Sequence, residues 1–387
     1  MKILMIAPQP FFEPRGTPFS EYFRILALTE LGHTVDLVTY PLGEDRQIPG
    51  LKIYRSPRVP GIRRVKTGPS PAKAVLDFFL FFSVLRRLWR AKYDLIHSHE
   101  EGCLMGLVAS RLRHIPHLYD MHSSLSQQMD NFQFTTLRPV VAFFRWLERR
   151  ALRQARSVIV ICRSLYEYAA TLTDPAKLTL IENFRDDSVD PKGLDAGRLE
   201  QVKSEINPDR KKVILYAGTF EPYQGLPLLV ESLAHLPEEF RLVLVGGRGE
   251  QRDAISALAA AKGLADRVLL AGQRDPTAIP YYLQAADVLV SPRARGTNIP
   301  LKIYSYLASG VPLVATNLAT HTQTLTPEIA ILVSPEPSAL AAGIREAAGE
   351  KGKQTAARAR EFCRRNYSVA RYNQLVRESL DRLNRPI

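Results

Sequence analysis

Residues 297–316 read TNIPLKIYSYLASGVPLVAT. Pro300 and Lys302 lead into a run whose apolar positions recur at helical spacing, and Ser309-Gly310 ends it. Glycine just past a helix is a common stop, because it adopts a left-handed backbone without steric cost. Val311-Pro312 then opens a short apolar run, Leu313 to Ala315, that suits a buried strand. A helix, a glycine stop and a buried strand together make one step of a parallel α/β sheet. The shape suggests a helix N-terminus held against a ligand, yet the stretch contains no carboxylate.

The same step repeats outward. KVILYAGTF (212–220), RLVLVGGRGE (241–250), RVLLAGQR (267–274), DVLVSPR (287–293) and AILVSP (330–335) join PLVAT as six strand candidates, separated by helical stretches. Earlier in the chain KILMIAP (2–8), GHTVDLVTY (32–40), YDLIHSH (93–99), HLYDMHS (117–123) and SVIVIC (157–162) repeat the pattern. Between the two sets lies DDSVDPKGLDAGRLEQVKSEINPDRK (186–211), polar and carrying Pro and Gly, which reads as a partly helical linker. The chain therefore divides into an N-terminal domain (1–187), a linker (188–209) and a C-terminal domain (210–365). A helix over 366–387 is expected to pack back toward the first domain. The fold class is α/β, with two Rossmann-like doubly wound domains facing each other across a cleft. Ligands of such sheets bind just beyond the carboxyl ends of the strands.

Bulk properties narrow the function. The 387 residues are 45% apolar, enough for sizeable cores. The longest strong apolar run, FFLFFSVL (78–85), is too short to cross a bilayer. The N-terminus runs straight into a strand pattern, which argues against a signal peptide. Cys103, Cys162 and Cys363 show no metal-binding spacing, and their odd number suits a reduced, cytoplasmic protein. The net charge is +13, and it is concentrated: between Arg55 and Lys92 ten basic residues face one acid, Asp77. Residues 60–92 combine a Pro/Gly loop, aromatics and basic flanks, a mix that suits an anionic membrane surface. No base-reading motif accompanies the charge, so nucleic acid is not expected. The plainer alternative makes Phe78 to Leu85 the buried face of a crossover helix with arginines at its rim. Residues 138–156 repeat the theme, with Arg138, Arg145, Arg149 and Arg156 roughly on one helical face.

Motifs sit just after strands. In YAGTFEPYQGLPLLVESL (216–233), Gly218 permits a tight turn and Gly225 precedes a helix whose free amides suit phosphate oxygens. Gly246 belongs to a second glycine-rich turn. The order of these pieces resembles the nucleotide-sugar half of retaining GT-B glycosyltransferases of family 4. Their "GxL…KG" and "VGxG" turns, base-reading strand end, "AADVxVxPS" and "AxGxPVVA" segments are matched by GTFEPYQG, VGGRG, AGQR, AADVLVSPR and ASGVPLVA. The first half is similar too, through GHTV, YDLIHSHE, YDMHSS and LIENF. The resemblance covers nearly the whole chain.

It implies a transferase moving a sugar from a nucleotide diphosphate donor, UDP- or GDP-linked, to an acceptor hydroxyl with retained configuration. A lipid-linked or glycan acceptor is expected, at the cytoplasmic face of a membrane, with no cofactor and no metal. His122 matches the family's active-site histidine. Gln273 and Arg274 fall at the base-reading strand end. Gly16 stands in the acceptor-side loop that approaches the donor, and Arg15 beside it suits an anionic acceptor. His99, Glu100 and Asp120 are acceptor-side candidates, with Asp120 orienting the loop and His97 packed. His97, His99 and Glu100 suggest a metal cluster at first sight, but a third ligand on the shared face is missing.

The departures are specific. The family's two glutamates fall on Thr297 and Ser305, and its phosphate-binding Arg and Lys on Thr219 and Gln224. Arg293, Arg295 and Lys302 crowd the same loop and are expected to replace those contacts, with Asn298 beside them. Ser305 keeps a hydroxyl for the ribose, and Glu221 is an acid available to the sugar or acceptor. The rival readings are a catalytically silent GT-B protein, which the neutral Thr297/Ser305 pair would suit, and a nucleotide-sugar epimerase, which would need acid/base carboxylates in the cleft that the sequence does not place.

Overall fold

The computed structural model describes residues 1–13, 16–65, 70–124, 138–182, 193–296 and 299–384. The chain forms two compact units, Met1–Phe184 with Ala370–Ile387, and Arg185–Val369.

The first unit is a seven-stranded sheet of order β3-β2-β1-β4-β5-β6-β7, every pair parallel. The strands are β1 (Lys2–Ala7), β2 (Thr34–Thr39), β3 (Leu51–Arg55), β4 (Leu95–His99), β5 (His117–Met121), β6 (Ser157–Val160) and β7 (Leu178–Leu180). Its helices are α1 (Gly16–Glu30), α2 (Pro71–Arg90), α3 (Cys103–Arg113), α4 (Arg138–Gln154) and α5 (Arg163–Ala170). The central strands are apolar on both faces, because helices cover both sides of a parallel sheet. One face packs on α2 and α3 through Leu76, Leu80, Val84, Met105 and Ala109. The other packs on α1 through Ile25 and Leu28, joined by Tyr372, Val376 and Leu380 from near the C-terminus. Edge strands β3 and β7 lie outside the runs read as strands from sequence; they are short, and β3 is largely half-exposed.

The second unit holds α6 (Ala196–Ile206), β8 (Lys212–Gly218), α7 (Leu226–Ser232), β9 (Phe240–Gly246), α8 (Gly249–Ala261), β10 (Val268–Gly272), α9 (Ile279–Gln284) and β11 (Val288–Ser291). It continues through α10 (Lys302–Ser309), β12 (Leu313–Thr316), α11 (Ala319–Thr322), β13 (Ile331–Val333), α12 (Pro337–Ala347) and α13 (Glu350–Asn366). Its parallel sheet runs β10-β9-β8-β11-β12-β13. All six strands read from sequence are present. The polar segment after residue 192 contributes α6, whose N-terminus is capped by the Asp195 carboxylate accepting from the Arg198 amide at 2.7 Å. The C-terminal α14 (Val369–Asp381) carries Tyr372, Val376 and Leu380 into the first unit's core.

Both sheets reverse strand order once, between β1 and β4 and between β8 and β11. Such switch points open crevices at the carboxyl ends of their strands. Helix α4 stops at Gln154, so Arg156 does not share its face; the Arg156 guanidinium instead donates to the Leu383 carbonyl at 3.2 Å. Nor is the run Phe78 to Leu85 mostly buried. Leu80 and Val84 face the core, while Phe78 and Phe82 point to solvent. Among the described residues no helix is long and apolar enough to cross a bilayer.

Candidate active site

At the first switch point, neighbouring strands β4 and β5 pair His99 with Asp120. Side chains two apart on a strand share a face, so His97 joins them. All three are fully buried. The Asp120 carboxylate accepts from Arg24 Nε of α1 at 2.8 Å, and Arg24 Nη1 donates to the Tyr372 hydroxyl of α14 at 3.0 Å. His97 Nε2 lies 3.4 Å from the same carboxylate and His122 Nε2 3.3 Å. His122 Nε2 also stands 3.0 Å from His99 Nδ1.

Burial works to raise the Asp120 carboxyl, but Arg24, the His122 ring and hydrogen bonds from His122 and His97 together hold it well below the usual carboxylate range. Burial depresses His97 and holds His99 well below the ordinary imidazole value, which favours the neutral ring in both. A neutral ring offers one donor and one acceptor nitrogen, which suits sugar hydroxyls. His99 Nε2 and His122 Nδ1 are buried without a hydrogen-bond partner among the described residues. Glu100 is buried beside them, accepts from the Ser123 hydroxyl at 2.7 Å, and has its carboxyl raised chiefly by burial. Glu21 on α1 is also fully buried; burial first, then Glu100 and Asp120, raise its carboxyl well above the ordinary value.

The third group missing from the His97, His99, Glu100 cluster is supplied by Asp120 instead, since the potential ligand atoms of His97, His99 and Asp120 all lie within 4.8 Å of one another. The Arg24 guanidinium already neutralises that carboxylate and would oppose a second cation, so we assign no metal here.

At the second switch point the ends of β8 and β11 meet the start of α10. The Lys302 ammonium sits 3.6 Å from the Tyr216 ring centroid and donates to Gln224 Oε1 at 3.4 Å. It lies so close to Gly218 that a Cβ there would stand 2.6 Å from Nζ. Among the described residues no carboxylate pairs with it. Burial, then the neighbouring Arg293 charge, depress Lys302 well below the ordinary lysine value. Arg293 stacks 5.0 Å from the Tyr223 ring centroid and donates to the Thr320 hydroxyl at 2.6 Å. Two cations thus share a partly buried corner. Gln224 Nε2 lies 3.5 Å from the Thr219 hydroxyl, and Tyr216 donates to the Thr219 carbonyl at 2.6 Å, which fixes the turn. Gly225 has φ 73°, and a Cβ there would meet the Pro292 carbonyl oxygen at 2.0 Å, so the turn packs directly on the end of β11. The Tyr306 hydroxyl is bonded to the Ala217 amide at 2.8 Å and ties α10 to β8.

The structure therefore groups Gly218, Thr219, Gln224, Gly225, Arg293 and Lys302. Gly246 closes on the same turn, where a Cβ would lie 2.0 Å from the Gly218 carbonyl oxygen. Ser305, one turn beyond Lys302, is half-buried on α10. Glu221 is drawn aside by Arg248 at 3.0 Å and Gln251 at 3.1 Å. Gln273 is exposed after β10, and Arg274 is engaged by Glu205 of α6. Arg295 is exposed. Gly16 is the first residue of α1. Arg15, Thr297 and Asn298 lie outside the described residues. Sequence reasoning missed Arg24, Tyr216 and Tyr372. The available signal for Arg24 was a charge within the apolar stripe of α1, three residues after Glu21.

Two family models match. Residues 198–364 fit the glycosyl transferases group 1, and residues 25–183 fit the glycosyl transferase 4-like domain. The chain is 25% identical over 329 residues to the phosphatidyl-myo-inositol mannosyltransferase of Mycobacterium leprae, covering 82% of this chain and 79% of that one. It is 25% identical over 245 residues to the alpha-D-kanosaminyltransferase of Streptomyces kanamyceticus, covering 60% of this chain and 62% of that one. Anabaena HepE, solved in complex with UDP, superposes with a TM-score of 0.75 at 17% identity over 98% of this chain and 100% of its own. With its two Rossmann-like parallel sheets and a family model matched to each, the chain belongs to the GT-B glycosyltransferases of the family 4 type.

Proposed function

We propose that this glycosyltransferase takes its sugar from a nucleoside diphosphate donor, UDP- or GDP-linked, and passes it to an acceptor hydroxyl with retention of configuration. The observation that carries the donor class is the corner formed by Lys302 and Arg293. A half-buried ammonium without a carboxylate partner among the described residues is unfavourable, and a diphosphate supplies the missing counter-charge. A guanidinium fork and a point charge together stabilise the leaving diphosphate, so the reaction needs no metal. HepE, solved with UDP and with UDP-glucose, supports a nucleotide donor by analogy. The mycobacterial relative's name supports a lipid acceptor by analogy, and in this proposal that acceptor is met at the cytoplasmic face of a membrane.

In this reading His122, held by Asp120, donates a hydrogen bond to the reacting sugar. His99 and Glu100 face the acceptor, and Ser305 contacts the ribose. Gln273 and Arg274 flank the base. The departing phosphate oxygen takes the acceptor proton on the face it leaves, which retains the configuration.

The test is donor hydrolysis and product stereochemistry. Purified protein is expected to release free sugar slowly from one member of a UDP- and GDP-sugar panel, with the retained anomer seen first by proton NMR. His122→Ala is expected to lower turnover about 100-fold or more. A panel showing neither binding nor hydrolysis, with and without added lipid extract, would leave the silent GT-B protein as the better reading.

A further inference from the structure

Helices α2, α3 and α4 lie side by side on one face of the first sheet, with α3 in the middle. Their outward surface is apolar. Phe78, Phe82 and Trp89 of α2, Leu112 of α3, and Phe143 and Trp146 of α4 are each between 51% and 66% exposed. These residues follow helical spacing on the side opposite the core-facing Leu76, Leu80, Val84 and Leu88. Around them Arg86, Arg90, Arg111, Arg145, Arg149 and Arg153 are all exposed. Arg113 of α3 stacks 5.1 Å from the Trp89 ring centroid, which joins two of the helices across the surface.

The acids of these three helices point the other way. Asp77 accepts from the Tyr40 hydroxyl at 2.6 Å, and Glu148 is fully buried, accepting from Ser124 at 3.0 Å. Every exposed charge on the layer is therefore positive. The aromatics also have a direction. Helices α2, α3 and α4 each start at the carboxyl edge of the sheet, so Phe78 and Phe143 lie in the halves nearer His99 and His122, with Phe82 and Trp146 near the helix middles. Lys73, in the first turn of α2, is ion-paired with Glu101, the neighbour of Glu100.

We infer that this three-helix face is a docking surface for an anionic lipid bilayer. Exposed aromatic rings enter the headgroup and acyl boundary, and the arginines pair with lipid phosphates while their stems stay along the apolar surface. The charge selects this occupant over a second copy, because a two-fold dimer through this face would set arginines against arginines. The exposed rings lie on neighbouring helices of one layer, which suits a bilayer plane. The inference deepens the proposed function by fixing where a lipid-borne acceptor is met, and it rests on that reading only there, since vesicle binding is measured without turnover.

Flotation of the full chain with vesicles of pure phosphatidylcholine, and of phosphatidylcholine with 30% phosphatidylglycerol, tests it at 100 and 500 mM KCl. Expected is at least about tenfold enrichment on the anionic vesicles at low salt, falling at high salt. Arg145→Ala with Arg149→Ala is expected to lower the partition coefficient about 25-fold, at about fivefold per charge. Phe78→Ser with Phe82→Ser, and separately Trp146→Ser, is expected to weaken binding with unchanged circular dichroism and unchanged donor hydrolysis in lipid-free buffer. Equal binding to both vesicles, or variants that partition like the parent protein, would overturn the inference. A concentration-dependent dimer, lost in the Phe78/Phe82 variant and without vesicle binding, would overturn it in favour of self-association.

Discussion

The Lys302 ammonium rests 3.6 Å from the centre of the Tyr216 ring and has no carboxylate partner among the described residues. The ring face offers partial compensation, and burial still depresses the lysine. Lys302→Met keeps the length and removes the charge. It is expected to raise the thermal midpoint of the free protein while weakening UDP or GDP binding about 10- to 100-fold, the worth of a charged hydrogen bond. Calorimetric titration beside a thermal melt checks both. Unchanged nucleotide affinity would remove the diphosphate reading of this corner. Binding should also take up a proton wherever Lys302 is neutral in the free protein, so affinity is expected to fall as pH rises.

Arg24 and Asp120 are a pair whose members cannot be removed singly. Asp120→Asn leaves the guanidinium buried without its counter-charge, with the Tyr372 hydroxyl and an amide oxygen in its place, and is expected to cost about 3–5 kcal/mol. Arg24→Met strands the carboxylate and should cost a similar amount. The double substitution is expected to cost clearly less than the sum, because no charge is then left alone. Urea unfolding of the four proteins measures the coupling. Additive losses would mean that the pair is not an energetic unit.

Acid sensitivity follows from His321. Its Nδ1 donates to the Thr316 carbonyl at 2.8 Å and its Nε2 accepts from the Ser291 hydroxyl at 2.9 Å, so the folded ring is neutral. Burial lowers it to about 4. A depressed folded value means that the unfolded chain binds the proton first. The stabilisation is therefore complete above about pH 6.5 and is lost as pH falls toward 4, amounting to roughly 3 kcal/mol. Asp120, held lower still, loses its contribution only below the ordinary carboxylate range. His321→Gln is expected to flatten the stability profile between pH 6.5 and 4, and an unchanged slope there would contradict the assignment.

Two glycines of one turn should fail differently. Gly225→Ala drives a Cβ into the Pro292 carbonyl at a left-handed φ and is expected to cost more than about 2 kcal/mol. Gly218→Ala meets the mobile end of Lys302 instead. Its main effect is expected on nucleotide affinity, with a smaller loss of stability. Melting temperatures and nucleotide titrations of both variants separate the two.

The strands were legible because parallel strands buried on both faces must be continuous apolar runs, as KILMIA and VILYAG are. Edge strand β3 was not, since a half-exposed LKIYR has no such run. Site glycines such as Gly218 and Gly225 were visible because only glycine tolerates those turns. Lys302 stood out as a lone cation at a helix start. Arg24 did not, because an arginine in a helix ordinarily faces water, and what draws it inward is a carboxylate 96 residues away. Outward-facing Phe78 and Phe82 were hidden by the same rule in reverse, since an aromatic run ordinarily marks the core. Pairings across sequence distance decide both cases, and periodicity carries no record of them.

The return of α14 to the first sheet sets an order on synthesis. Tyr372 holds Arg24, and Val376 and Leu380 cover the same core as Ile25 and Leu28. At ribosomal speed about 190 residues separate β7 from that cover, a delay of roughly 10–40 s. The second unit, built from the intervening chain, emerges with all its parts while the first still lacks its lid. Chains halted on the ribosome before Ala370 should be cut by protease within residues 1–184 and resist within 196–366, so that the half made first is the half finished last.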